Sequence, residues 1–252
     1  MGFRNAALAV LLAVAASMAH GATQPVRLHL ITEASAPISM MEGRRVIGSG
    51  TEKVAEIMAR TGTDYTLELL PWKRGYTFAL QRPDTCLFST TRTAERENLF
   101  KWIGPTDEAE WILLGRADRH YDLRTLDDAR GLRIGTYNGD ARDEYLRARG
   151  FQVDPAPNDM INPRKLLMDR IDVWAASFKR GTTVLKRHGW GDKIVPVLSF
   201  NRVGVYLACN PAVPTELVDR MNVAVEAMVR DGTMKRIDRK YEKWVDDLQA
   251  KR

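Results

Sequence analysis

Strand-like and helix-like segments alternate along this chain from residue 26 almost to its end. Short apolar runs bounded by polar or turn residues predict strands at 26–32, 65–70, 85–89, 111–114, 133–136, 151–153, 171–176, 194–197 and 203–208. Between them lie helix signals. Ser49 or Thr51 can cap a helix whose apolar positions Val54, Ile57 and Met58 keep helical spacing up to a stop at Gly62. Pro71 suits the first turn of a helix reaching about Leu80, and Thr125 caps a short one before Gly131. Asn138-Gly139-Asp140 opens a helix that ends at Gly150, and Asn162-Pro163 starts another through Met168. A helix follows the 171–176 strand to about Arg187. Pro214 opens one with Leu217, Met221, Val225 and Met228 on one side, and a last helix runs over 233–248. Such alternation predicts an α/β fold with parallel sheets. There is no internal repeat, low-complexity tract or long linker.

The first 22 residues are read as a secretory leader. Arg4 precedes an apolar run from Ala6 to Ala16, and small residues follow at Ala19, Gly21 and Ala22. The alternative is an uncleaved N-terminal anchor, but the run falls short of the ~18 apolar residues that a span needs. Losing Arg4 with the leader takes the net charge from +6 to +5. Lysines and arginines are scattered among nearly as many acids, with no basic stripe interleaved with aromatics, so no nucleic-acid partner is expected. Two cysteines, Cys86 and Cys209, lie in distant strand-like runs. In an oxidising compartment they can form a disulfide, and as buried residues they can equally be free thiols.

The stretch from Thr85 to Pro105 carries the most chemistry. A buried-strand pattern, Cys86-Leu87-Phe88, is followed by the hydroxyls Ser89, Thr90 and Thr91 and then by Arg92 and Arg96. Hydroxyls and a guanidinium at the carboxyl end of an α/β strand suit a small anion, because the planar fork matches a carboxylate. The competing reading is a solvated charge run, with Arg96 paired to Glu95 or Glu97.

The chain resembles a periplasmic solute-binding protein of bacterial family 3, the polar amino-acid ABC-importer type. The resemblance rests on Ser89-Thr-Thr-Arg-Thr-Ala-Glu-Arg-Glu97, on Gly131-Leu-Arg-Ile-Gly-Thr-Tyr-Asn-Gly-Asp140, on Asp169-Arg-Ile-Asp-Val-Trp174, and on the tail from Val229 to Tyr241. The Pro71-Trp72-Lys73-Arg74 and Phe100-to-Pro105 segments resemble a less characterised branch. The resemblance implies a type II binding-protein fold of two α/β lobes joined by two crossing strands. The first lobe would hold residues 24–114 and 202–252, and the second 115–201. It implies a monomer that closes on a small-molecule ligand without a cofactor, metal or catalytic residue, and that hands it to an ABC permease or a membrane receptor. Arg96 matches the family's carboxylate clamp, with Ser89 and Thr91 beside it. Trp72 matches an aromatic that packs on the ligand, although core packing explains it nearly as well. Gly139, Asp140 and Ala141 match a helix start in the second lobe that offers N–H groups, with Asp140 read as the helix cap.

One position departs from the pattern. Where the family supplies an aspartate for an α-ammonium group, this chain has Ser177. A serine cannot neutralise a buried ammonium. Either Glu33 compensates, or the ligand is a simple carboxylate or another small anion. Asp172 is read as structural. The four histidines are dispersed, and no nucleophile elbow or phosphate loop occurs. A dehydratase on the same fold, with Glu33 as its acid, and a soluble sensor for a receptor are the alternatives to an importer component.

Overall fold

The computed structural model describes residues 26–250, with side chains described to residue 243. The leader lies outside the described residues. In chain order the strands are β1 (Leu28–Thr32), β2 (Met40–Glu42), β3 (Arg45–Ile47), β4 (Tyr65–Leu69), β5 (Thr85–Thr91), β6 (Lys101–Arg116), β7 (Ile134–Tyr137), β8 (Val153–Ala156), β9 (Val173–Ser177) and β10 (Ile194–Cys209). The helices are α1 (Ser49–Thr61), α2 (Trp72–Gln81), α3 (Ala141–Ala148), α4 (Asn162–Leu167), α5 (Phe178–His188), α6 (Thr215–Arg230) and α7 (Thr233–Ala250). A short 3-10 helix, Ala94–Leu99, links β5 to β6.

One hydrogen-bonded path, β4-β1-β5-β10-β6-β9-β7-β8, runs through eight strands, but it serves two lobes. Strands β1, β4 and β5 run parallel in one lobe, and β7, β8 and β9 run parallel in the other. The long strands β6 and β10 pair antiparallel over most of their length and join both. Toward its carboxyl end β10 pairs with β5, over Val205–Cys209, whereas β6 pairs with β9 over Trp111–Leu114. The sequence pattern located only the apolar ends of these strands. Their middles, such as Asp107-Glu108 and Asn201-Arg202, cross between the lobes and lack the apolar alternation that a strand buried on one face would show. The β2–β3 hairpin gives no periodic signal in the sequence, because each strand has three residues.

Each sheet half is covered on both faces, as parallel sheets require. Alternate residues split accordingly. In the first lobe, Leu28, Leu30, Cys86 and Phe88 face α1, α6 and α7, and Ile31 and Leu87 face α2. In the second, Ile112, Leu114, Trp174 and Ala176 pack with α4 and α5, whereas Leu113, Val173 and Ala175 pack with α3. Cys86 and Cys209, opposite one another on β5 and β10, form a disulfide within the first core.

The start of α1 differs from the sequence reading. Gly48 is its N-cap, at φ 134°, and no side chain caps it; Ser49 is already helical. A Cβ at position 48 would sit 2.2 Å from the carbonyl oxygen of Ile38, so the tight approach of the β3–α1 turn selects glycine. Gly62 ends the helix in the left-handed conformation, as the sequence indicates.

Candidate functional site

The carboxyl ends of β1, β5 and β9 and the starts of α1, α2, α3 and α5 converge on a cavity of about 350 Å3 between the lobes. Open α/β sheets bind ligands at this edge, because strand ends and helix starts leave backbone groups and loop side chains free there. Its floor is formed by the crossing part of β6.

Ser89 follows the continuously buried run Thr85–Phe88 of β5 and takes a left-handed backbone, φ 58°. That conformation disfavours a residue with a side chain, and it turns the chain toward the 3-10 helix that carries Arg96. Arg96 is buried, at 1 % exposure. It pairs with neither Glu95 nor Glu97. Its Nε donates to Glu144 at 2.8 Å and its Nη2 to the Gly139 carbonyl at 3.2 Å, both in the opposite lobe. Its plane lies near the rings of Trp72 and Tyr76. Its Nη1 has no partner. Arg96 therefore presents an unused donor in a cavity that Ser89 and Thr91 also line. Arg92 instead pairs with Glu97 and lies over Trp102 and Tyr206, outside the cavity lining.

Trp72 opens α2 and does two things at once. Its ring belongs to the apolar cluster under α2, and its Nε1 donates to the Gly139 carbonyl at 2.8 Å across the cleft. Gly139, at φ 72°, makes the turn before α3. Its carbonyl serves the closed arrangement, and neither Gly139 nor Ala141 lines the cavity. Asp140 does line it and caps α3, accepting from the Arg142 amide at 2.9 Å. Burial opposes ionisation of Asp140, but the Arg142 charge and hydrogen bonds overcome it and hold the carboxyl below its usual range.

Glu33, just beyond β1, accepts from the Tyr137 hydroxyl and lies 3.6 Å from Arg180. Burial pushes its pKa up, although Arg180 and Tyr137 counteract this. Ser177 ends β9 at the cavity wall. Asp172 lies away from the cavity and binds Arg133. Lys53, also lining the cavity, is held by the Thr106 carbonyl and by the carboxylates Asp107 and Asp238.

The structure adds Arg142, Arg180, Tyr137 and Glu144 to the residues singled out from the sequence. A usable signal existed for the first two. Arginine in the first turn of a helix opposes the positive end of the helix dipole, and both Arg142 on α3 and Arg180 on α5 sit there. Tyr137 and Glu144 gave no such signal, since their roles depend on how the lobes meet. Among the described residues no cluster of histidine, cysteine or acid side chains could hold a metal ion, and no helix is long and apolar enough to cross a membrane.

A family model for bacterial extracellular solute-binding proteins, family 3, matches residues 28–244. The chain belongs to that family. A search of curated proteins finds no match. Solved structures of the same two-lobe fold are numerous. A histidine kinase sensor domain with similarity to periplasmic binding proteins superposes with a TM-score of 0.77 at 17% identity, over 85% of this chain and 95% of that one. The arginine-, lysine-, histidine-binding protein ArtJ of Geobacillus stearothermophilus gives 0.73 at 17% identity, over 85% and 94%. The GluR0 ligand-binding core of Nostoc punctiforme, in complex with L-glutamate, gives 0.72 at 18% identity, over 85% and 98%. At these identities the likeness speaks for the fold of a family 3 solute-binding protein, not for a ligand.

Proposed function

We propose that this family 3 protein captures a small carboxylate-bearing solute between its lobes in the periplasm and delivers it to an ABC importer. The observation that carries the reading is Arg96: a buried guanidinium with a free Nη1, in the same cavity as Ser89 and Thr91. Buried charged donors without partners are costly, and an incoming carboxylate would satisfy this one. Residues 24–114 with 202–252 form the first lobe in this reading, 115–201 the second, and 1–22 a cleaved leader. The pairing of β6 and β10 with strands of both lobes supports that division. Closure follows from contacts that span the cleft, Trp72 and Arg96 to Gly139, Arg96 to Glu144 and Glu33 to Tyr137, which a ligand reinforces by binding the closed form better. Glu33 is engaged by Tyr137 and Arg180, which favours binding over dehydratase chemistry with Glu33 as its acid.

The test is a thermal-shift panel on the leaderless chain, stripped of ligand by partial unfolding, against amino acids, mono- and dicarboxylates and polyamines. A ligand at a hundredfold its Kd adds about 2.7 kcal/mol, a rise of roughly 5–10 °C for a protein of this size. A carboxylate hit that disappears in Arg96→Ala supports the assignment, and one that survives overturns it. The histidine kinase sensor neighbour favours a second reading, in which the closed form is presented to a membrane receptor. Sequencing the neighbouring genes separates the two: a permease and an ATPase found there would support delivery to an importer, and a receptor kinase would support the sensor.

A further inference from the structure

We propose that the ligand carries two carboxylates and no α-ammonium group, the second carboxylate being read by Arg142 from the opposite lobe. This rests on the reading of Arg96 as the first carboxylate's partner. Arg142 repeats the geometry of Arg96 on the other wall. It is buried, at 5 % exposure, and lines the same cavity. Its Nε is fixed by Asp140 at 2.6 Å, and its Nη2 is 3.9 Å from Asp159. Its Nη1 is buried and has no partner. Two guanidinium groups, one from each lobe, thus each keep one unused donor at one cavity. A single monocarboxylate bound to Arg96 leaves the Arg142 donor unpaired in the closed state.

The acids at the ends of the cleft, Glu33 and Asp140, are already engaged, and the family's ammonium position is a serine. Ser177 is uncharged, and Glu33 is occupied by Tyr137 and Arg180. Asp140 is occupied by Arg142. On the floor, Asp107 is beside Lys53, Glu110 accepts from Ser199, and Glu108 is exposed. The positions where a second charge would lie are marked by arginines, Arg142 and Arg180, both set at helix starts against the dipole. Resident carboxylates offset that placement, Asp140 and Asp159 for Arg142 and Glu33 for Arg180, but they leave Arg142 Nη1 without an acceptor. The two donors come from different lobes, so a dicarboxylate can bridge them only when the cleft is closed, which couples its recognition to closure.

Calorimetric titration of the leaderless chain tests this with malonate, succinate, glutarate and adipate, each against the monocarboxylate of equal length, and with L-glutamate against glutarate. At least one dicarboxylate should bind about ten- to a hundredfold tighter than its monocarboxylate partner, and glutarate more tightly than L-glutamate, as expected when a charged donor gains its acceptor. Arg142→Gln should erase that preference, bringing each dicarboxylate to within about twofold of its monocarboxylate partner in the same variant. Arg142→Lys, which keeps the charge beside Asp140 and Asp159 but lacks the fork, should erase most of it and guards against a folding defect in the glutamine variant. Equal binding of mono- and dicarboxylates by the wild type, tighter binding of L-glutamate than of glutarate, or an unchanged preference in a folded Arg142 variant overturns the inference. In those cases dependence on Arg96 can still hold. Failure of every carboxylate to bind overturns both readings.

Discussion

The disulfide between Cys86 and Cys209 should be a principal source of stability in the first lobe. Both residues are fully buried, and the bridge ties β5 to β10 across a sequence separation of 123. On the chain-entropy model a loop of that length restrains the unfolded chain by roughly 5 kcal/mol, and removing native bridges typically costs about 2–5 kcal/mol. The double substitution Cys86→Ala, Cys209→Ala replaces both sulfurs by small apolar groups and leaves no buried polar atom. It leaves a small void beside Leu28, Val54 and Phe88, which adds to the loss. At about 2–4 °C per kcal/mol for a chain of this size, the melting temperature should fall by roughly 5–20 °C. Calorimetric or circular-dichroism melts with and without a reductant provide the assay. Wild type under reduction should approach the double variant, and the double variant should ignore the reductant. Melting of all four samples within about 2 °C of one another would show that the bridge contributes no stability.

Three further outcomes are expected. Trp72→Phe keeps a ring in the cluster under α2 but deletes the Nε1 bond to Gly139, a contact that the open form lacks; ligand affinity should weaken about two- to tenfold by titration, with little change in the unliganded melt. Gly48→Ala forces a Cβ against the Ile38 carbonyl at a φ that side chains avoid, and should destabilise the protein by at least about 1–3 kcal/mol in urea unfolding. Burial raises the pKa of Glu33 in the folded state, so that state binds the proton more tightly than the unfolded one. Glu33 thus contributes stability that is present below its ordinary value of 4.5 and is lost as pH rises through its folded pKa. Glu33→Gln should remove that loss, and the melting temperature of the variant relative to wild type should rise with pH over this window; a constant difference would contradict the assignment.

The alternation of strand and helix patterns sufficed for the fold class, because each sheet half is covered on both faces and its strands read as continuous apolar runs. It failed at β6 and β10 for a physical reason. Their middle residues, Asp107 to Glu110 and Arg202 to Val205, pair with each other between the lobes, where little apolar core covers them. In the site, Ser89, Thr91 and Arg96 were legible because hydroxyls and an arginine follow a strand end directly. Arg142 carried only the weak signal of an arginine in the first turn of α3, beside Asp140, which reads as an ordinary helix cap. Its significance depends on a donor left over after Asp140 and Asp159 are satisfied, and that is a property of three-dimensional geometry. The partner of Arg96 was equally hidden, since Glu144 lies in the other lobe, whereas Glu95 and Glu97 lie beside it in sequence.

The most direct test of the account is a crystal structure of the leaderless chain with the tightest-binding carboxylate from the panel. The ligand should lie in the cleft between the lobes, with a carboxylate oxygen about 2.7–3.2 Å from Arg96 Nη1 and the Glu33–Arg180 pair intact. A carboxylate that bypasses Arg96, or a ligand seated outside the cleft, would contradict it.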